Sequence, residues 1–243
     1  MDREVLKDYI RERVDFSRTD QKKGVPMPPV QKGVPEQAEL VDLPDPESLD
    51  IDIGLTEAIS NRKSRRSFTN DSLELEELSF LLWATQGVRD ITDSGRAYRV
   101  VPSAGNRHAL ETYIAAFQVE GLNEAIYRYL PLEHQLLKVT EYEDMGNKVA
   151  QAARGQSFVG NCAATFIWTT IPYRMEWRYG EASYKVIAID AGHVCQNLYL
   201  AAEAIDAGTC AIAAYDQDLM DSLLEVDGKD EFTIYLAPVG KRH

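Results

Sequence analysis

The sequence is poor in cysteine, histidine, basic charge and long apolar runs, and each shortage excludes a class of protein. Its three cysteines, Cys162, Cys195 and Cys210, are odd in number, far apart and each set in apolar sequence. They exclude a disulfide framework and are expected as buried free thiols in a reducing compartment. The four histidines, His108, His134, His193 and His243, form no HExxH motif and no paired spacing, so no zinc site is expected. No apolar run approaches the roughly 18 residues that span a bilayer. The charged opening, with Asp2, Arg3, Glu4, Lys7 and Asp8, lacks the apolar stretch of a signal peptide, which predicts a cytoplasmic chain without membrane contact. Basic residues number 26 against 39 acidic ones, a net charge of −13. Such a balance repels nucleic acid and anionic lipid, because phosphate recognition needs clustered cations. Any anion this chain holds must sit in a local basic pocket.

What is present is enough for one domain with an extension: 243 residues, 44% hydrophobic and 27% charged. Residues 1–50 stand apart. After a short charged helical start come Pro26, Pro28, Pro29, Pro35, Pro44 and Pro46, and proline removes amide donors and favours extended backbone. This stretch reads as an arm, either disordered or lying along a partner subunit, ahead of a domain at 51–243. Within the domain, helices are expected at Thr56–Asn61, Leu73–Gln86 (stopped by Gly87), Asp144–Ala153 and Ala191–Ala207 (C-capped by Gly208), with a further one capped by Asp216. Strands are expected at Tyr113–Val119, Ile126–Leu130, Gln135–Val139, Ala163–Thr170 and Phe232–Val239. The nearly continuous apolar run at 163–170 suits a strand covered on both faces. The layout is α+β, without an internal repeat.

Two segments carry chemistry. Arg62-Lys63-Ser64-Arg65-Arg66 places four basic residues in five positions of an acidic chain. Guanidinium forks, an ammonium and a hydroxyl suit a phosphate dianion, although such a run alone is better explained as a solvated turn. Val101-Pro102-Ser103-Ala104-Gly105-Asn106-Arg107-His108 offers small residues for close backbone approach and polar groups for ring edges; an ordinary loop before a strand is the plainer reading. Standard phosphate loops fail. Gly155 and Gly160 are followed by Asn161 and Cys162 where Lys and Ser/Thr belong, and no GxGxxG opens a helix after a strand.

Taken in order, these segments resemble the nitroreductase superfamily. The resemblance runs through Arg62-Lys63-Ser64-Arg65-Arg66-Ser67-Phe68, Gln86-Gly87-Val88, Pro102-Ser103-Ala104-Gly105-Asn106, Arg178-Tyr179-Gly180, Asp190-Ala191-Gly192-His193 with Gln196-Asn197-Leu198, Gly208-Thr209-Cys210-Ala211-Ile212-Ala213-Ala214 and Pro238-Val239-Gly240-Lys241. It covers roughly residue 54 to the end, and the joint order is far more specific than any piece. The Gln-Gly-Val, Pro-Ser-Ala-Gly and Asp-Ala-Gly-His pieces most resemble the SagB-type dehydrogenase branch, which includes thiazoline and oxazoline oxidases.

The resemblance implies a central mixed β-sheet flanked by helices, an intertwined homodimer, and FMN at the interface with both subunits lining each site. Arg62, Lys63, Ser64 and Arg66 would hold the phosphate and ribityl chain, with Arg65 facing elsewhere. Pro102, Ser103, Ala104 and Asn106 would line the flavin from the partner, Gln156 would lie near the pyrimidine ring, and Ala211, Ile212, Ala213 and Ala214 would face the ring with backbone amides, one near N5. Lys241 matches a basic residue that approaches the phosphate. Ala213 and Ala214 stand where relatives often have Gly. Arg178, Tyr179 and Tyr184 are substrate-side candidates, and no catalytic acid or nucleophile is identified. His193 is expected as a packed, hydrogen-bonded core residue, and His108 either beside the ring or capping a strand. The implied activity is hydride transfer through flavin N5. It takes the form either of NADH- or NADPH-dependent reduction of nitro or quinone acceptors, or of dehydrogenation of a small-molecule or peptide substrate. The alternative is a catalytically silent flavin-binding or scaffold subunit of a peptide-modification complex.

Overall fold

The computed structural model describes residues 6–93 and 95–243. Its frame is a seven-stranded sheet. From edge to edge the strands are β1 (Leu40–Asp42), β6 (Gln135–Thr140), β5 (Ala125–Leu130), β4 (Leu110–Ala116), β7 (Ala164–Thr170), β9 (Phe232–Lys241) and β8 (Ala207–Thr209). A small hairpin, β2 (Val88–Ile91) and β3 (Ala97–Arg99), stands apart. The ladders between named strands are antiparallel. Parallel pairing, expected of a mixed sheet, enters as single bridges at Ser64↔Thr209 and Leu73↔Val119.

Strand alternation explains the doubly covered centre. On β4 and β7, Ile114, Phe166 and Trp168 point to one core while Tyr113, Ala115 and Ile167 point to the other. The first core is closed by α3 (Leu75–Gln86) through Leu78, Leu81 and Leu82, and by α6 (Ser183–Ala204) through Val194 and Leu198. The second is closed by α4 (Met145–Ala152) through Met145 and Val149, and by α7 (Gln217–Leu223) through Met220. Short helices α1 (Ile10–Arg13), α2 (Leu55–Asn61) and α5 (Tyr173–Tyr179) complete the layout. Caps follow the chemistry expected: Asp216 accepts from the Leu219 amide at the start of α7, and Glu74 with Glu77 forms a capping box on α3.

Two expectations about the long helix are corrected, and the proline-rich arm is strapped to its own domain between residues 20 and 44. Trp177 Nε1 donates to Val25 O at 2.9 Å, Arg99 to Val30 O at 2.7 Å and Arg128 to Gly33 O at 2.6 Å, and β1 pairs with β6. These buried cations need acceptors, and a proline-rich segment has carbonyls free to supply them. The long helix begins at Ser183, eight residues ahead of the expected Ala191, and spans 22 residues. It ends at Ala204, and Gly208 is not its cap: Asp206 takes the left-handed conformation (φ 54°), while Gly208 belongs to β8. Cys162, Cys195 and Cys210 are buried free thiols, as expected, and burial pushes Cys162 and Cys195 up to about 12.

Candidate functional site

The basic cluster follows the end of α2, where the Arg62 amide donates to Ala58 O at 3.1 Å. The chain then runs beside β8. Ser64 bridges Thr209, and the Arg65 amide donates to Thr209 O at 2.9 Å. Tyr199 of α6 fixes this arrangement from below. Its hydroxyl lies 2.9 Å from Ser64 Oγ and accepts the Ala211 amide at 2.9 Å, while the Arg62 guanidinium sits 5.2 Å above its ring. One phenol thus ties the cluster to the 211–214 run. Tyr199 was not among the expected site residues, because in sequence it is one more large residue on a helix that buries an apolar face.

The cluster divides by partner. Arg65 turns inward, its guanidinium 3.5 Å from the buried Glu203 carboxylate. Its stem lies across Gly208, where a side chain would collide with it. Among the described residues no carboxylate pairs with Arg62, Lys63 or Arg66. Three uncompensated cations on a chain of net charge −13 are a donor set that fits a phosphate dianion.

The 211–214 run also divides. The Ala211 amide is taken by Tyr199, and Ile212 exchanges both backbone hydrogen bonds with Leu236 at 2.8 and 3.1 Å. Ala213 and Ala214 are exposed, and among the described residues their amides find no acceptor. Gln156 adjoins them, its Nε2 donating to Ala214 O at 3.0 Å and Ala153 O at 2.9 Å, which leaves its amide oxygen free. Two open amides and an amide oxygen beside a cationic cluster suit the polar edge of a flavin. Lys241 is placed otherwise: its ammonium pairs with the buried Glu77 and donates to Ile205 O at 3.1 Å. A buried carboxylate needs a cation, and Lys241 supplies it.

The second set of residues lies on another face. The Ser103 hydroxyl accepts the His108 amide at 2.9 Å, and the Ala104 amide donates to the Asp190 carboxylate at 3.2 and 3.3 Å. Gly105 is left-handed (φ 59°), and a side chain there would strike the Tyr179 hydroxyl and the Arg178 stem. Arg178 in turn stacks 5.5 Å above the Tyr179 ring. Tyr179 and Arg178 therefore back the 102–106 loop, whereas Tyr184 is exposed and borders a different cleft. Burial raises the Asp190 carboxyl above its ordinary range, against the opposing Ser103 and Ala104 hydrogen bonds.

His108 is buried, with Nε2 2.8 Å from Asn106 Oδ1. Burial and the neighbouring Arg99, Arg107 and Arg174 charges push it down to about 3, so its imidazole is neutral. The other end of the Asn106 amide is buried without a partner. His193, expected in the core, is exposed on α6 with Nδ1 4.0 Å from Asp190. It lies on the face of α6 that points away from the sheet.

The two sets share a helix but not a face. Asp190, which anchors the 102–106 loop, and Tyr199, which anchors the 62–66 cluster, lie on α6 separated by about 13 Å of rise and about half a turn of rotation.

Comparison with known proteins follows this geometry. The model of the Nitroreductase family matches residues 59–241. Over 202 residues the chain is 31% identical to "Putative nitroreductase MJ1384" of Methanocaldococcus jannaschii, covering 83% of this chain and 96% of that relative. It is 28% identical over 134 residues to the trifolitoxin-processing protein TfxB of Rhizobium leguminosarum bv. trifolii, which is 53% of this chain but only 36% of TfxB. Among solved structures, a chain of the E. coli microcin synthetase McbBCD complex with truncated pro-MccB17 bound matches with a TM-score of 0.63 and 18% identity, over 100% of this chain and 95% of that one. The NADPH:FMN oxidoreductase of Vibrio harveyi complexed with NAD+ matches with a TM-score of 0.54 and 17% identity, over 77% of this chain and 68% of that one. At these identities the two structures show a shared fold.

Proposed function

The chain belongs to the nitroreductase family, and we propose that it is an FMN-dependent oxidoreductase working as a homodimer. The observation that carries this reading is the set of uncompensated cations Arg62, Lys63 and Arg66 beside the open amides of Ala213 and Ala214. Three neighbouring cations without a carboxylate partner among the described residues make a local positive patch that attracts an anion on a chain whose remaining charge repels one. Arg62, Lys63, Arg66 and Ser64 would hold the phosphate and ribityl chain. Ala213 and Ala214 would present N–H groups to the ring, with Ala211 and Ile212 holding that backbone in place, and Gln156 would offer its amide oxygen at the pyrimidine edge. Pro102, Ser103, Ala104 and Asn106 of a second copy would cover the ring from the other side. When bound, the flavin supplies hydride chemistry at N5 that no side chain here could supply.

The chain's own residues bind, orient and tune. Backbone donors fixed by Tyr199 and by the Ile212–Leu236 pair are preorganised and need no rearrangement as charge develops. Arg178 and Tyr179, held against the 102–106 loop, would meet the substrate. His108 is neutral and committed to Asn106, so it is unsuited to act as an acid, and the scheme needs none. Lys241 would support the site indirectly by neutralising Glu77 beneath it.

NADH or NADPH as reductant is supported by the fold shared with the NADPH:FMN oxidoreductase. A peptide substrate, or a scaffold role within a peptide-modifying complex, is supported by the likeness to TfxB and to the microcin synthetase chain. Anaerobic mixing separates them. Bleaching of a yellow flavin band by NADH or NADPH supports the reductase. Bleaching by an azoline peptide alone supports the dehydrogenase, and a flavin band that neither reagent bleaches supports the scaffold. A purified protein that refuses added FMN rejects all three.

A further inference from the structure

The end of β7, the start of β9, α5 and the start of α6 enclose a cleft of about 850 Å³, a size typical of small-molecule sites. None of residues 62–66, 102–106 or 211–214 lines it, so it is separate from the proposed flavin wall. Its body is apolar, with Pro172, Ile187 and Phe232, and two exposed rings, Tyr173 and Tyr184, border its mouth. Three charged side chains share the lining: Glu176, Lys229 and Asp230.

The charges decide what the cleft wants. Glu176 is half-buried, and among the described residues no cation pairs with it. Burial and the Asp230 charge together raise its carboxyl above the ordinary range. Two carboxylates facing one space resist joint ionisation unless a positive charge joins them. Lys229 does not serve, because it is exposed and has no ion pair among the described residues; its flexible stem keeps the ammonium in water. A second, independent observation lies on the floor. Thr170 is 1% exposed and its backbone is held in ladders with Leu110 and Phe232, yet its hydroxyl is buried without a partner. Buried hydroxyls are nearly always hydrogen-bonded, and the cleft is where a partner can enter. Ring faces at the mouth add a preference for positive charge.

We propose that this cleft binds a small organic cation, an ammonium or guanidinium group carried on an aromatic or aliphatic body. Glu176 and Asp230 supply counter-charge, Tyr173 and Tyr184 flank the body, and the Thr170 hydroxyl pairs with the ligand N–H. The site stands on direct binding and does not depend on the flavin reading.

Isothermal titration of the full chain, with and without added FMN, tests it using phenethylammonium, its neutral isostere 2-phenylethanol, and phenylacetate. The cation should bind saturably, about tenfold or more tighter than the alcohol, as one charge-assisted hydrogen bond implies, and phenylacetate should give no saturable heat. Glu176→Gln should weaken the cation by a similar factor. Lys229→Glu, at an exposed position with no ion-pair partner among the described residues, should tighten it. An alcohol that binds as well as the cation, a cation without saturable heat, or unchanged affinity in both charge variants would overturn the assignment.

Discussion

Replacing Tyr199 by Phe keeps the ring beneath the Arg62 guanidinium, 5.2 Å away, and deletes the oxygen that joins Ser64 Oγ and the Ala211 amide, each at 2.9 Å. The ring still fills its place between α6 and the sheet, so no cavity opens. What is lost is the partner of a largely buried backbone donor and of one hydroxyl. A net hydrogen bond contributes about 0.5–1.5 kcal/mol, and a buried donor left unpaired costs about 1–3 kcal/mol. The two effects together place the destabilisation at about 2–4 kcal/mol. For a chain of this size that corresponds to a fall in Tm of roughly 4–16 °C. The same loss frees the 62–66 segment from the 211–214 run, so FMN affinity should fall by more than tenfold, whereas a purely structural defect would lower Tm alone. Urea unfolding of the flavin-free protein gives the first number and FMN quenching titration the second. A Tyr199→Phe protein with wild-type Tm and wild-type FMN affinity would refute the linkage between cluster and amide run.

Gly105→Ala should lower Tm and turnover together, because φ at this position is 59° and the new methyl meets the Tyr179 hydroxyl and the Arg178 stem; the expected stability loss is about 1–3 kcal/mol. Arg174→Ala breaks the buried pair with Glu111 and should cost about 3–5 kcal/mol by chemical denaturation. It should also expose the arm to limited proteolysis, since Glu111 accepts the Lys32 amide at 2.8 Å. The pH dependence has a defined sign. His108 in the folded chain is pushed down to about 3, below its unfolded value, so between these values the unfolded state binds more protons and stability falls as pH falls. His108→Gln should flatten the slope between pH 6.5 and pH 5 by up to about 1.4 kcal/mol per pH unit. A residual slope is expected from His134, which burial also pushes down. Identical slopes in the variant and the parent would show that His108 takes up protons in the native state.

Legibility in the sequence followed the range of the interactions. α3 and α7 show where their apolar residues and caps place them, and β7 shows as an apolar run because helices cover both its faces. β1 was not legible: it is three residues inside a proline-rich arm, and it exists because β6 offers an edge. α5 is seven residues long, begins at a proline and has no apolar period of its own. The start of α6 was misplaced: residues 183–190 belong to the helix, and from within it the Asp190 carboxylate reaches out to the Ala104 amide. In the candidate site, basic and small-residue segments stand out by composition. Their pairing does not: the resemblance set Arg65 apart, but only the fold shows that Arg65 and Lys241 are paired with Glu203 and Glu77, while among the described residues no carboxylate pairs with Arg62, Lys63 or Arg66. Tyr199 was hidden among core residues, since a hydroxyl that bridges two loops leaves no trace in helical periodicity.

The most direct test of the central claim is FMN affinity in the Arg62→Ala/Arg66→Ala protein. With about 1.5–3 kcal/mol for each hydrogen bond to a charged group, the double variant should bind FMN at least a hundredfold more weakly than the parent, and the effect should shrink as salt is raised. Its unfolding free energy should change little, because among the described residues neither guanidinium has an ion-pair partner to lose. An unchanged FMN affinity, measured on a variant that folds as the parent does, would contradict the assignment of this cluster as the flavin phosphate site.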